Sequence, residues 1–437
     1  MATGVAARVV AVRVLDDVLH RGRSLKAALA ARLSGLDDVR DRALVEATVL
    51  TALRQQPRFD AALALWLKQP LGARDRDLHA LLLAGLAQLE LGLPAHAALA
   101  ATVDTARSLQ RPHQAGLVNA LLRRALREEL PEVAADAAWP AWLAQQVRSD
   151  WPAQADAIFA ASAQPPPLWL RVNRRWIERD EYARLLHEAG IDTSADPDLP
   201  DALKLETTRP VMQLPGFGAG LVSVQDAAAQ AVADAFLLAP GARVLDACAA
   251  PGGKAAHLAE RDASLRLSAL DVDARRVRRM QDTFARLRLE IEARAVDALD
   301  PAAWWDGAPF DAILIDAPCS ATGIVRRQPD VLRHRREADL AALTATQTRL
   351  LDALWPLLAP GGSLVYATCS ILRCENTAQV GAFLARTPDA LLEPLDARFG
   401  RDTGGGHQRL PGDADRDGFF CARLRKATGK ATGIITP

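Results

Sequence analysis

The chain has 437 residues, more than one ordinary core accommodates, and roughly two to four domains are expected from that length. Half of the residues are hydrophobic, and 53 basic residues balance 53 acidic ones, so net charge neither favours nor excludes a polyanionic partner. No uncharged apolar run reaches the ~18 residues of a membrane span, the N-terminal MATGVAARVV lacks the basic and apolar segments of a secretion signal, and five sparse, unevenly spaced cysteines give no zinc-ligand pattern. A reduced, cytoplasmic protein with no metal and no membrane contact is expected.

Residues 1–135 read as helices almost throughout. ARVVAVRVLDDVLHRG and RDLHALLLAGLAQLELG repeat apolar residues at three- and four-residue spacing. Gly22, Gly35, Pro57, Pro70, Gly92, Pro94 and Pro112 supply the stop chemistry between such stretches. Residues 136–225 begin with linker helices rich in alanine, tryptophan and proline, and pass through the semi-rigid QPPPLWLRVN into a small α+β domain. There WLRVN, a helix over 180–189, ALKLE and LVSVQ give strand, helix, strand, strand. Over 226–427 strands alternate with helices. The strands are ARVLDAC, LRLSALDV, IEARAV, FDAILIDA and GSLVYATC, and ARRVRRMQDTFARLR is one of the helices between them. That alternation predicts an α/β domain whose parallel sheet is covered on both faces. Ligands of such sheets bind beyond the carboxyl ends of the strands. Residues 428–437 read as a flexible tail.

The first of these strands runs into DACAAPGGK, Asp246 to Lys254. Gly252 and Gly253 let the backbone turn tightly and approach a ligand before a helix begins. The spacing differs from the G-x-G-x-x-G of pyrophosphate binders, which disfavours a nicotinamide cofactor; the helix start suits a carboxylate instead. The second strand places Asp271 where a carboxylate accepts from ribose hydroxyls. The third places Asp297 near an adenine edge, and the fourth brings Asp316 towards an amino group or polar substrate. Each aspartate alone could equally cap the next helix. Cys319 in DAPCS and Cys369 in YATCS both fall at strand ends.

Four acidic strand ends around a glycine turn, in this order, resemble the S-adenosylmethionine-dependent methyltransferase fold. DAPCS after the fourth strand and TCS after the fifth resemble the RNA cytosine-5 methyltransferases. The helical N-terminal part, LPGFGAGLVSVQDAAAQ and DGFFCARLRK are similar to the bacterial small-subunit ribosomal RNA enzymes of the RsmB (Sun) type. The resemblance covers nearly the whole chain. It implies an all-α NusB-like N-terminal domain that binds RNA, a small α+β domain of RRM-like form, and a Rossmann-like methyltransferase domain. It further implies S-adenosylmethionine as cofactor and S-adenosylhomocysteine as product, small-subunit ribosomal RNA as partner, and a monomer. Carried over by motif, Cys248, Ala249, Ala250, Pro251, Gly252, Gly253, Lys254, Asp271, Asp297 and Asp316 hold the cofactor. Cys369 is the nucleophile, Cys319 assists release, and Asp316 lies between cofactor and base. Lys254 either orients a partner or caps the helix start. Cys374 departs from the pattern and receives no role.

Carbon 5 of cytosine is a poor nucleophile, and no side chain is basic enough to remove its proton directly. A thiolate adding to carbon 6 makes carbon 5 enamine-like and splits one hard step into easier ones. The attacking thiol has to be ionised and within roughly 3–3.5 Å of carbon 6. After Cys319, IVRRQPDVLRHRR carries Arg326, Arg327, Arg333, Arg335 and Arg336. Its position after the Cys319 loop puts these arginines beside the target pocket, on RNA phosphates. The histidines are scattered without metal spacing. Trp304 and Trp305 read as apolar anchors, Cys248 as packing beside the cofactor, and Cys421 and Tyr366 as core. Transfer RNA as substrate, and a non-catalytic RNA-binding assembly factor, are the competing readings. Amino-group methylation would need N-P-P-Y where this chain has D-A-P-C-S.

Overall fold

A computed structural model describes residues 4–207 and 209–428; the expected tail beyond Thr428 lies outside the described residues. The chain divides into two compact units. One comprises the residues up to Pro165 together with Val325–Arg335, and the other comprises Pro166–Ile324 and the residues from Arg336 onward.

The first unit is helical. Val5–Arg21, Val39–Arg54, Arg76–Glu90 and Ala95–Ser108 are its longest helices. Local chemistry sets their ends: Ser24 Oγ accepts from the Ala27 N–H and Asp38 from the Arg40 N–H. Arg76–Glu90 is buried on every side from Ala80 to Gln88, as a helix apolar all round must be. Val14, Leu15, Val49 and Leu122 pack around it.

The segment 325–335 was expected as part of the catalytic domain. It groups with the helical unit instead. Asp330 accepts from the Leu25 N–H at 2.8 Å, and Arg54 Nε donates to the Arg326 carbonyl at 2.7 Å. Val325, Val331 and Leu332 are buried, which supplies the reason: apolar residues interleave the arginines and draw the segment in. Arg326 is only 4% exposed and so does not present its guanidinium at a surface. Arg333 and Arg336 are exposed, and Arg327 and Arg335 are half-buried.

The second unit contains two sheets among the described residues. The smaller comprises β1 (Leu168–Val172), β2 (Thr193–Ala195), β3 (Ala202–Leu205) and β4 (Val222–Val224), in the order β2-β3-β1-β4 with antiparallel neighbours. The short Thr-Ser-Ala strand β2 escapes a sequence reading because it is a largely exposed edge strand without apolar alternation. Leu170, Val172, Leu203 and Val222 cover the helix Arg179–Glu188 through Tyr182 and Leu186. On the other face Trp169 and Ala202 join the core of the larger sheet.

The larger sheet contains β5 (Arg243–Asp246), β6 (Arg266–Asp271), β7 (Glu292–Ala295), β8 (Phe310–Asp316), β9 (Leu358–Thr368), β10 (Ala390–Glu393), β11 (Arg401–Asp402), β12 (His407–Arg409) and β13 (Phe419–Lys426). Its order is β11-β12-β13-β9-β8-β5-β6-β7, with β10 on β13. Strands β5 to β9 are parallel, and the expectation of a parallel sheet holds for them. From β10 onward the pairing is antiparallel and the sheet is mixed. The Thr403–Gly406 connection between β11 and β12 is too short for a crossover helix and permits only a hairpin. The strand order reverses between β5 and β8, so the ligand crevice opens at their carboxyl ends.

One buried cation joins the two sheets. Arg171 on β1, 1% exposed, forms a bidentate pair with Glu260 at 2.7 and 2.8 Å. It also donates to Gln225 Oε1 at 2.5 Å and to the Gly253 carbonyl at 2.7 Å. Arg171→Met would strand the Glu260 carboxylate in the interior and should cost about 3–5 kcal/mol in urea unfolding. Adding Glu260→Leu should restore most of that loss; a double variant as unstable as the single one would refute a charge-burial origin.

Candidate active site

The turn after β5 continues the sheet before it leaves it. The Ala247 N–H donates to the Leu314 carbonyl at 2.9 Å and the Ala249 N–H to the Leu270 carbonyl at 2.8 Å. Ala250–Pro251 is a cis peptide, and Gly252 follows at φ +92°. A Cβ on Gly252 would lie 2.7 Å from Met280 Cγ and 2.9 Å from Phe284, so only glycine fits. The helix Gly253–Arg261 starts there without a side-chain cap. Asp271, at the end of β6, is 4% exposed and pairs with Arg276 at 3.0 Å. Arg276 also donates to the Ala250 carbonyl at 2.5 Å, tying the turn to the second strand end. Asp297 is exposed beyond β7 and accepts from the Leu299 N–H at 2.9 Å.

At the switch point Lys254 Nζ donates to Asp316 at 2.5 Å and lies 5.1 Å from the centre of the Phe419 ring. Burial opposes the charge on Lys254, but Asp316, Asp246 and Cys369 outweigh it and raise its pKa. Asp246 is fully buried, and neither carboxylate oxygen has a hydrogen bond of ordinary geometry. Burial, with Asp316 adding to it, lifts its pKa to about 7.

Cys319 Sγ and Cys369 Sγ are 3.4 Å apart, at the ends of adjacent strands β8 and β9. The bond to Cys369 and burial raise the Cys319 pKa well above that of a free thiol. Glu375 holds the two loops together. Its carboxylate accepts from the Ser320 N–H at 2.8 Å, from Ser320 Oγ and Ser370 Oγ at 2.5 Å each, and from Gln347 Nε2 at 3.2 Å. Gly323 closes the assembly: its N–H donates to the Cys369 carbonyl at 2.9 Å, and its carbonyl accepts from the Gly418 N–H at 2.9 Å. A Cβ there would lie 2.2 Å from the Gly418 oxygen. The arrangement therefore presents a half-buried thiol, a second thiol beside it, and an ammonium–carboxylate pair.

Three family models match the chain. Residues 235–425 match the 16S rRNA methyltransferase RsmB/F model, residues 139–212 the ferredoxin-like domain of RsmF/B-like methyltransferases, and residues 5–127 the NusB family. Ribosomal RNA small subunit methyltransferase B of Xanthomonas campestris pv. campestris is 58% identical over 430 residues, covering 98% of each chain. The protein of that name in Xylella fastidiosa strain Temecula1 is 57% identical over 98% of this chain and 99% of its own. This chain belongs to the RsmB/F family of 16S rRNA methyltransferases. The crystal structure of NSun6 from Pyrococcus horikoshii with SFG shares the fold at a TM-score of 0.61 and 20% identity, covering 67% of this chain and 99% of that one. A methyltransferase homolog protein from the same organism gives 0.58 at 29% identity, covering 66% and 95%.

In this RsmB/F chain the site brings together Lys254, Asp316, Cys319 and Cys369, and Arg276 links Asp271 to the glycine turn. Cys248 is half-buried in that turn, its thiol pKa raised by burial. Trp304, Tyr366 and Cys421 are buried, as expected of anchors and core. Cys374 sits in a 3-10 turn ahead of the helix Thr377–Arg386. Sequence reasoning passed over Glu375, Arg276 and Phe419. The available signal was the polar pair Glu375-Asn376 before an apolar helix; nothing local showed that the glutamate would be wholly buried. No cluster of three or more metal-ligating side chains occurs among the described residues.

The Asp246 shift carries a pH signature. The unfolded chain ionises this carboxyl near its ordinary 3.8, whereas the folded one holds its proton to about pH 7. Its stabilising contribution is therefore complete below about pH 4 and lost as pH rises through 7. Asp246→Asn, uncharged throughout, should gain on the parent by on the order of 4 kcal/mol between pH 4 and 8. Thermal unfolding across that range measures the gain, and a constant difference would contradict a protonated Asp246.

Proposed function

We propose that this protein methylates carbon 5 of a cytidine in small-subunit ribosomal RNA, using S-adenosylmethionine and a covalent bond to Cys369. The observation that carries this reading is the pair of thiols 3.4 Å apart at adjacent strand ends, beside the Lys254–Asp316 pair. The names of relatives 57–58% identical over nearly the full length favour ribosomal over transfer RNA. Small-molecule binding suits the close backbone at Gly252, the uncapped helix start and the buried carboxylate of Asp271. The Cys248–Lys254 turn, Asp271, Asp297 and Asp316 would hold the cofactor, which supplies an electrophilic methyl group and departs as S-adenosylhomocysteine.

The chain's own residues divide the remaining work. The ammonium of Lys254 interacts electrostatically with Cys369. The thiolate adds to carbon 6, forming a sulfur–carbon bond and directing electron density to carbon 5. Asp316, fixed by Lys254, offers its carboxylate as a hydrogen-bond acceptor to the ring nitrogen once that nitrogen is protonated as charge develops. After methylation, loss of the carbon 5 proton to a base breaks the sulfur–carbon bond. Cys319, kept as a thiol by its raised pKa, donates to the departing Cys369 sulfur.

Bisulfite sequencing of ribosomal and transfer RNA from cells with and without the gene tests the substrate: one small-subunit position should lose its signal, whereas a change confined to transfer RNA would reassign it. Cys369→Ala should reduce methyl transfer by at least ~1000-fold with RNA binding retained, since nucleophile loss removes the covalent route; turnover near the parent rate would exclude the assignment. Cys319→Ala should accumulate an RNA–protein adduct that survives denaturing electrophoresis, and normal turnover without adduct would remove its release role.

A further inference from the structure

Both faces of the small ferredoxin-like sheet are occupied. One packs on the helix Arg179–Glu188, and the other, with Trp169 and Arg171, is buried against the catalytic core. An RNA strand therefore cannot lie across that sheet, the surface on which RRM domains stack bases. The turn just beyond β1 is different. Asn173, fully buried, fixes it by accepting from the Arg175 N–H at 3.2 Å and donating to the Gly220 carbonyl at 3.1 Å. Outward from this fixed turn project Arg174, Arg175 and Trp176, all exposed.

Trp176 is 43% exposed, an unusual state for the largest apolar side chain on a rigid turn. The guanidinium of Arg288 lies 4.9 Å and that of Arg175 5.7 Å from its ring centre. Arg175 also donates to the Arg288 carbonyl at 3.3 Å. Arg288 closes the helix Ala274–Leu287, ARRVRRMQDTFARL, whose single acid is Asp282. Arg278 and Arg279 on that helix are exposed, and among the described residues no ion pair engages Arg175, Arg278, Arg279 or Arg288. The helix is about 20 Å long at 1.5 Å per residue. Its far end adjoins Asp271 and the Ala250 carbonyl through Arg276, so its basic surface leads from the cofactor strand end out to Trp176.

We infer that Trp176, flanked by Arg175 and Arg288, is a stacking platform for an unpaired base of the RNA substrate, with the arginines of the Ala274–Leu287 helix on the adjoining phosphates. A fixed aromatic ring takes any base by its face, and unpaired guanidinia beside it match the phosphate charge. Arg288 and Arg175 already lie against the ring, and a base joins or displaces one of them at little cost because every partner is planar. The site engages RNA flanking the target and takes no part in bond making. It rests on the reading of this protein as an RNA methyltransferase.

The test uses the full chain, with an in vitro transcript of small-subunit ribosomal RNA and a fluorescein-labelled single-stranded oligouridylate as probes. Trp176→Ala should weaken binding of both by about 5- to 100-fold, the range of one lost base stack, and Trp176→Phe should recover most of it. Arg175→Gln and Arg288→Gln should each flatten the log Kd against log salt slope by about 0.7. Methyl transfer at saturating transcript and cofactor affinity should stay within about twofold, the signature of lost uniform binding. Parent-like RNA affinity in Trp176→Ala with methylation intact would overturn this inference alone, and a protein partner at the patch would give that same result. An unaltered protein that methylates no RNA would instead overturn the underlying reading.

Discussion

The pairing of the two thiols depends on a buried carboxylate. Two polar loops, following β8 and β9, have to lie side by side at the carboxyl edge of the sheet if their cysteines are to meet. Loops so placed leave N–H and hydroxyl groups without water, which is costly unless each finds a partner. Glu375 supplies the partner for both at once. It accepts from the backbone and side chain of Ser320 in one loop and from Ser370 in the other, with Gln347 completing its shell. Gln347 also donates to the Pro318 carbonyl at 3.0 Å, and Tyr366 donates to the Glu375 carbonyl at 2.7 Å, so β9 and the neighbouring helix share the restraint. The thiol separation follows from this knot rather than from either cysteine.

A second constraint is the arrangement of charge around Lys254. Its ammonium sits between the Asp316 carboxylate, the Phe419 ring and the thiol of Cys369, with Asp246 behind. One cation thereby anchors an aspartate at the fourth strand end and interacts with the cysteine at the fifth. Its position is fixed in turn from the small domain, because Arg171 holds the Gly253 carbonyl and Glu260 at the two ends of the helix that carries Lys254. The small sheet thus serves the glycine turn as a support.

Much of this was legible in the chain itself. Period-3.6 apolar spacing marks the helical N-terminal part, and five apolar strand segments ending in acidic or cysteine motifs mark β5 to β9. The misses share a cause. The strand β2 and the hairpin of β11 and β12 are short and polar, formed because neighbouring strands offer hydrogen-bonding edges. The arginine segment 325–335 reads as a basic surface loop, yet Val325, Arg326, Val331 and Leu332 are buried and the segment groups with the helical unit. Trp176 sits among arginines in the sequence, and its exposure is visible only once Asn173 is seen to fix the turn.

The sequence by itself determined the fold class, the strand-end carboxylates, the glycine turn and the two cysteine motifs, because strand periodicity and loop chemistry are local properties of the chain. Tertiary structure alone decided that Cys319 and Cys369, fifty residues apart, stand 3.4 Å from each other. It also decided that Glu375 joins their loops, that Arg276 and Arg171 brace the glycine turn, and that burial raises the Asp246 pKa. Those outcomes depend on which strands become neighbours and which polar groups lose water, and both are settled only when the sheet assembles.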